Sequence, residues 1–181
     1  MLLGNSLIID ENTVFRSLTK DGGLNFEQVC SDIIAFIKAD TDCSYRISVG
    51  TDSQVGSKTV FVSCILIHRV GKGAIGFLHK YDMQRPVINL REKIYLETCA
   101  SLQLAYLFDE ERMKRICQAV GPGGKGSEVI FEFHIDVGTK GQTKSLINEM
   151  VGMVKGLNFV PKIKPDSYCA SSFADKYTKA M

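Results

Sequence analysis

Four acidic residues stand where a folded chain would gather chemistry. Asp52 lies near the end of a strand-like run, Glu97 in a helical run, Asp136 at the end of another strand, and Asp166 where a short strand hands over to a helix. Carboxylates that converge repel one another and raise one another's pKa. A hard divalent cation relieves this: Mg2+ takes a few carboxylates and fills its shell with water and phosphate oxygens. Two such ions about 4 Å apart activate a water and stabilise a leaving 3′-oxygen, which is the chemistry of phosphodiester hydrolysis. The expected metal-binding and catalytic set is therefore Asp52, Glu97, Asp136 and Asp166, with Mg2+ or Mn2+ as cofactor. Taken singly, each has an ordinary reading: a turn or cap for Asp52, a strand end for Asp136, an N-cap for Asp166, a surface position for Glu97. The argument rests on the four together.

The elements that must position them follow from periodicity. "NFEQVCSDIIAFIKAD" reads as a helix with Asn25 and Gln28 at capping-box spacing. Three strand-like runs come next, "YRISVGTDS", "KTVFVSCILIHRV" and "GAIGFLHKYDM", joined by short glycine-containing links that suit an antiparallel meander. "NLREKIYLETCASLQLAYLFDEER" reads as one long helix. There, Glu97 shares a stripe with Ile94, Ser101 and Leu104 and should face the sheet, with Glu92 as its substitute. "EVIFEFHIDVG" alternates as a fourth strand, placing Glu132, His134 and Asp136 on one side. A helix over "TKSLINEMVGMVKG", a short strand "FVPKIKP" and a final helix over "DSYCASSFADKYTKA" complete the order. The expected architecture is α/β: a mixed five-stranded sheet with its first three strands antiparallel, helices on both faces, and an extra N-terminal helix. Residues 1–24 read as a polar arm and 25–181 as one domain. Asp52 shares its strand face with Ser48 and Gly50, small residues expected to let the helix bearing Glu97 come close.

"DVGTKGQTK" offers Lys140, Lys144, glycine amides and a following helix start, a combination suited to a substrate phosphate. Its ordinary reading is a loop with solvated lysines. His134 has the parity of Asp136 and a possible role in proton transfer or nucleic-acid contact, against the commoner role of a structural histidine. In the last helix Asp175 is the alternative to Asp166 as fourth ligand.

Composition bounds the rest. The 181 residues are 45% hydrophobic, enough for one domain with a real core, and the net charge of +2 neither marks nor excludes a nucleic-acid binder. Six cysteines without a CxxC pair read as reduced thiols of a cytoplasmic protein. No apolar run is long enough to cross a membrane.

The element order and the placement of acids resemble the ribonuclease H fold. More specifically, "VGTDSQ", "VFVSCILIHRVGKGA", "LREKIYLET", "AYLFDEE", "HIDVGTKGQTK", "EMVG" and "KIKPDSYCASSFADKYTK" resemble the YkuK-like family of ribonuclease H-like proteins, over about residues 26 to 179. The resemblance implies that Asp52, Glu97, Asp136 and Asp166 are the metal-binding acids of a nuclease acting on RNA, DNA or their hybrid. The competing class is a non-catalytic nucleic-acid-binding or protein-interaction module on the same fold.

Overall fold

A computed structural model describes residues 7–121, 128–138, 146–174 and 177. Its centre is the expected meander: β3 (Tyr45–Val55), β4 (Thr59–Arg69) and β5 (Gly73–Met83), paired antiparallel along their whole lengths. Before it come β1 (Phe15–Ser17), β2 (Gly23–Leu24) and α1 (Phe26–Lys38). After it come α2 (Leu90–Tyr106), α3 (Glu110–Gln118), β6 (Val129–Gly138), α4 (Ile147–Gly156), β7 (Pro161–Lys164) and a π-helical segment, Cys169–Ala174.

The sheet has seven strands, ordered β2-β1-β5-β4-β3-β6-β7, where five were expected. The difference lies in the supposed arm. Leu7, Ile9 and Phe15 are buried in the core, and the Ile9 N–H donates to Gln103 Oε1 at 2.6 Å. β1 then pairs with β5, so the arm extends the sheet by two short strands. Its scattered apolar residues are too few for a periodic pattern, and long-range pairing supplies the order instead. β6 and β7 join β3 in parallel, which makes the sheet mixed.

The expected long helix is broken at residues 107–109. Asp109 caps a new helix by accepting from the Arg112 N–H at 2.8 Å, and Leu107 and Phe108 turn into the core. At α1 the capping box forms as expected, with Asn25 and Gln28 bonding reciprocally at 2.9 Å.

Strand registry sorts the two faces. Odd-numbered Ile47, Val49, Phe61, Ile65, Phe133 and Ile135 join the main core, which α1 and α2 cover. Each such fully buried side chain contributes about 1.5–3 kcal/mol of burial free energy. Even-numbered Val62, Cys64 and Leu66 face the other way and pack beneath Cys169, Phe173 and Ala174. Gly76 on β5 is needed for this fit: a Cβ there would sit 2.4 Å from the Phe173 ring. Helical segments thus cover both faces, as expected, and no described helix is long and apolar enough to cross a membrane.

Candidate active site

A polar ladder beneath α2 positions Glu97. Thr51 and Ser63, opposite each other on β3 and β4, hydrogen-bond at 2.8 Å, and the Ser101 hydroxyl donates to Thr51 at 3.0 Å. One turn earlier the Ser53 hydroxyl donates to Glu97 Oε1 at 2.7 Å. Glu97 is 4% exposed, so its inward phase is as the sequence suggested. Glu92, the substitute, is only half-buried and is paired with Arg85.

Glu97 is electrostatically strained. Burial is the largest influence and drives its pKa up, the negative charges of Asp52 and Asp136 add to it, and Lys93 at 3.6 Å opposes it. The result is a carboxyl pushed up to about 8. Asp52 is itself buried, at 5% exposure. Three of the four expected acids therefore share one electrostatic neighbourhood.

The route by which they meet differs from expectation. Thr51 and Ser53 touch α2, so α2 packs on the odd face, whereas Asp52 belongs to the even face with Ser48 and Gly50. The small residues do not clear a path for Glu97. What lies against them is the C-terminal segment: Tyr168 Oη is 3.0 Å from Ser48 Oγ, and Cys169 Sγ is 3.3 Å from the Ser48 carbonyl. Asp52 and Glu97 approach from opposite sides of the end of β3.

Asp136 arrives by a second device. The β3–β6 ladder runs from Tyr45–Val129 to Val49–Phe133, short of both aspartates. Between His134 and Gly138 the pairing with β7 is irregular, with four steps on β6 against two on β7. A bulge there re-aims the side chain at the strand end, and the mouth beyond the carboxyl ends of parallel strands is where α/β sheets bind ligands. Asp136 Oδ1 is shielded from solvent, and among the described residues no donor completes a hydrogen bond to it. The Lys164 ammonium stands 2.7 Å away as an ion-pair partner.

Asp166 is exposed, its backbone N–H donating to the Ile163 carbonyl at 2.9 Å. Its charge reaches His134, whose pKa it raises slightly. Lys140, Lys144 and Asp175 lie outside the described residues.

His134 follows its structural reading. It is fully buried; its Nδ1 accepts from the Cys169 N–H at 3.1 Å and its Nε2 faces Glu132 Oε2 at 3.2 Å. An acceptor at Nδ1 fixes the neutral Nε2–H form, and burial depresses the pKa to about 4. In this state both ring nitrogens are engaged within the protein, leaving neither to a substrate phosphate.

Sequence reasoning missed the network to which His134 belongs. Glu132, 3% exposed, receives Ser48, Tyr168, Arg46 and Lys162 besides His134. The alternation of β6 already placed Glu132 and His134 on the face of Asp136. Their partners on β7 and the C-terminal segment had no sequence signal.

A metal is implied by the four acids, and their chemistry can be tested against it. The donors are all carboxylate oxygens, the hard set that Mg2+ and Mn2+ prefer. Glu97's raised pKa, to which the charges of Asp52 and Asp136 contribute, is what an acidic pocket shows when its charge is only partly compensated. The residues fit such an ion in kind, though among the described residues no three potential ligands are drawn into a ready-made cage.

The comparisons with known proteins agree with this architecture. The family model described as Ribonuclease H-like matches residues 28–179. The protein named "Uncharacterized protein YkuK" from Bacillus subtilis (strain 168) is 42% identical over 171 residues, covering 93% of this chain and 99% of its own length. No solved structure gives a significant match. With the family match spanning most of the chain and the relative aligned nearly end to end, the chain belongs to the YkuK-like family of ribonuclease H-like proteins.

Proposed function

We propose that this protein is a metal-dependent phosphodiester hydrolase acting on RNA or DNA, using Mg2+ or Mn2+ in a cytoplasmic setting. One observation carries the reading: Glu97 is a buried carboxyl pushed up to about 8, with Asp52 and Asp136 adding to the upward push. A strongly shifted carboxyl that feels the charge of two further acids near a strand-end mouth is the mark of a site prepared for charge. Asp52, Glu97, Asp136 and Asp166 would hold the ions, which when bound would lower the pKa of water and polarise the scissile phosphate. The chain's own residues do the positioning. Ser53 holds the Glu97 carboxylate. The β6 bulge aims Asp136. Asp166, exposed just after β7, would complete the set. Lys140 and Lys144, on the connection after β6, would receive the substrate's phosphates.

A second reading has its own support. Lys164 pairs with Asp136 and Lys93 with Glu97, so two acids are partly neutralised by the protein itself. A non-catalytic nucleic-acid-binding module would look like this too. Incubation of the purified protein with labelled RNA, DNA and hybrid, in Mg2+, Mn2+ or EDTA, separates them. The hydrolase requires cleavage that EDTA abolishes and that Asp52→Asn or Asp136→Asn lowers by roughly 10²–10³-fold. Binding without cleavage in every condition selects the module.

A further inference from the structure

We infer that Lys164 is an exchangeable counter-cation: its ammonium holds the place of the divalent ion on Asp136 and passes to a substrate phosphate when the ion enters. This rests on the hydrolase reading. Lys164 Nζ stands 2.7 Å from Asp136 Oδ1, an oxygen shielded from solvent that no other described group satisfies by a hydrogen bond. The two side chains differ sharply in freedom. Asp136 is 15% exposed, whereas Lys164 is 47% exposed on the edge strand β7, so the lysine can swing out while the aspartate stays. Lysine suits the task because its charge is a compact point on a flexible stem. Position supports the second half: Lys164 is two residues before Asp166 and is the register partner of Gly138 at the end of β6, so a displaced ammonium stays at the carboxyl-end mouth of the parallel strands, where a substrate would lie. Lys162, on the same strand, is committed to the buried Glu132 and has no such freedom.

The physical consequence is competition. An ammonium and a divalent ion cannot both claim Asp136 Oδ1, so the lysine weakens metal binding until substrate offers it a better partner. The test compares wild type with Lys164→Gln, Lys164→Arg and Lys162→Gln, all first checked by thermal melting. Mn2+ affinity is read from loss of the free-ion electron paramagnetic resonance signal. Oligonucleotide affinity is read by fluorescence anisotropy in Ca2+. Lys164→Gln should bind Mn2+ about 3–10-fold more tightly and the oligonucleotide more weakly. Lys164→Arg should stay near wild type in both. Lys162→Gln removes the same charge nearby and should shift Mn2+ affinity much less, which separates exchange at Asp136 from a general field. Mn2+ binding by wild type with no gain in Lys164→Gln, an equal gain in Lys162→Gln, or unchanged oligonucleotide affinity overturns the inference and leaves the hydrolase reading standing. No Mn2+ binding by wild type overturns both.

Discussion

Two buried glutamates, one beneath α2 and one on β6, show opposite electrostatics in the same small domain. Glu132 is 3% exposed and Glu97 4%, so burial alone does not distinguish them. Burial pushes both upward, but around Glu132 the Lys162 ammonium and then His134 outweigh it, and its pKa ends below the usual carboxylate value. Three hydroxyl or imidazole donors and two cations converge on its two oxygens. Glu97 has one serine donor, a lysine at 3.6 Å and two acids pushing against it. A satisfied buried charge ties a fold together, whereas an unsatisfied one is retained at a cost that function can explain. The comparison points to Glu132 as architecture and Glu97 as chemistry.

The comparison can be broken most easily at Glu132. Glu132→Ala should cost about 2–4 kcal/mol, because it strands a buried histidine and tyrosine and releases the C-terminal segment. In a domain of this size that is a melting-point drop of roughly 4–16 °C, read by thermal denaturation at pH 7. A loss under 1 kcal/mol would remove Glu132 from its structural role.

Glu97 should respond with the opposite sign. Its folded pKa is raised, so its favourable contribution is complete below the ordinary value near 4.5 and is lost as pH climbs through about 8. Glu97→Gln should match wild type near pH 5 and exceed it at pH 9, by on the order of 1–2 kcal/mol. His134 sets the acid side: its pKa is depressed to about 4, so its contribution holds above 6.5 and disappears as pH falls through 4. Melting curves from pH 4 to pH 9 on wild type and Glu97→Gln test both signs, and a wild-type profile flat above pH 7 would refute the first.

The smallest effect sharpens the comparison. Lys93→Met removes the cation nearest Glu97 and should move its pKa further up, seen by carboxyl titration in nuclear magnetic resonance. The stability change near neutral pH should stay within about 0.2–1 kcal/mol, since Lys93 is partly exposed.

The sequence carried the meander, the inward phase of Glu97 and the α1 capping box because each is written in local periodicity or spacing. The break between α2 and α3 was hidden, since Leu107 and Phe108 continue the apolar stripe and only Asp109's capping reveals the new start. β1 and β2 were hidden because they exist through pairing with β5. At the site, parity grouped Asp52 with Ser48 and Gly50, and Asp136 with Glu132 and His134, but the side taken by α2 required knowing that Thr51 and Ser53, not Asp52, touch it. Lys164 as partner of Asp136 depends on strand register across β6 and β7, which no local pattern encodes.

The roof over the even face has a consequence for biosynthesis. Cys169–Ala174 follows every strand of the sheet in the chain, while α1 precedes the meander and α2 follows it directly. On a ribosome adding about 5–20 residues per second, the odd face can be roofed as soon as α2 emerges. Val62, Cys64 and Leu66 meanwhile stay bare, because Phe173 and its neighbours have yet to be made. A nascent chain stalled before residue 166 is thus a half-closed sheet with an apolar face open to passing chaperones, and it lacks the fourth acid of the proposed site.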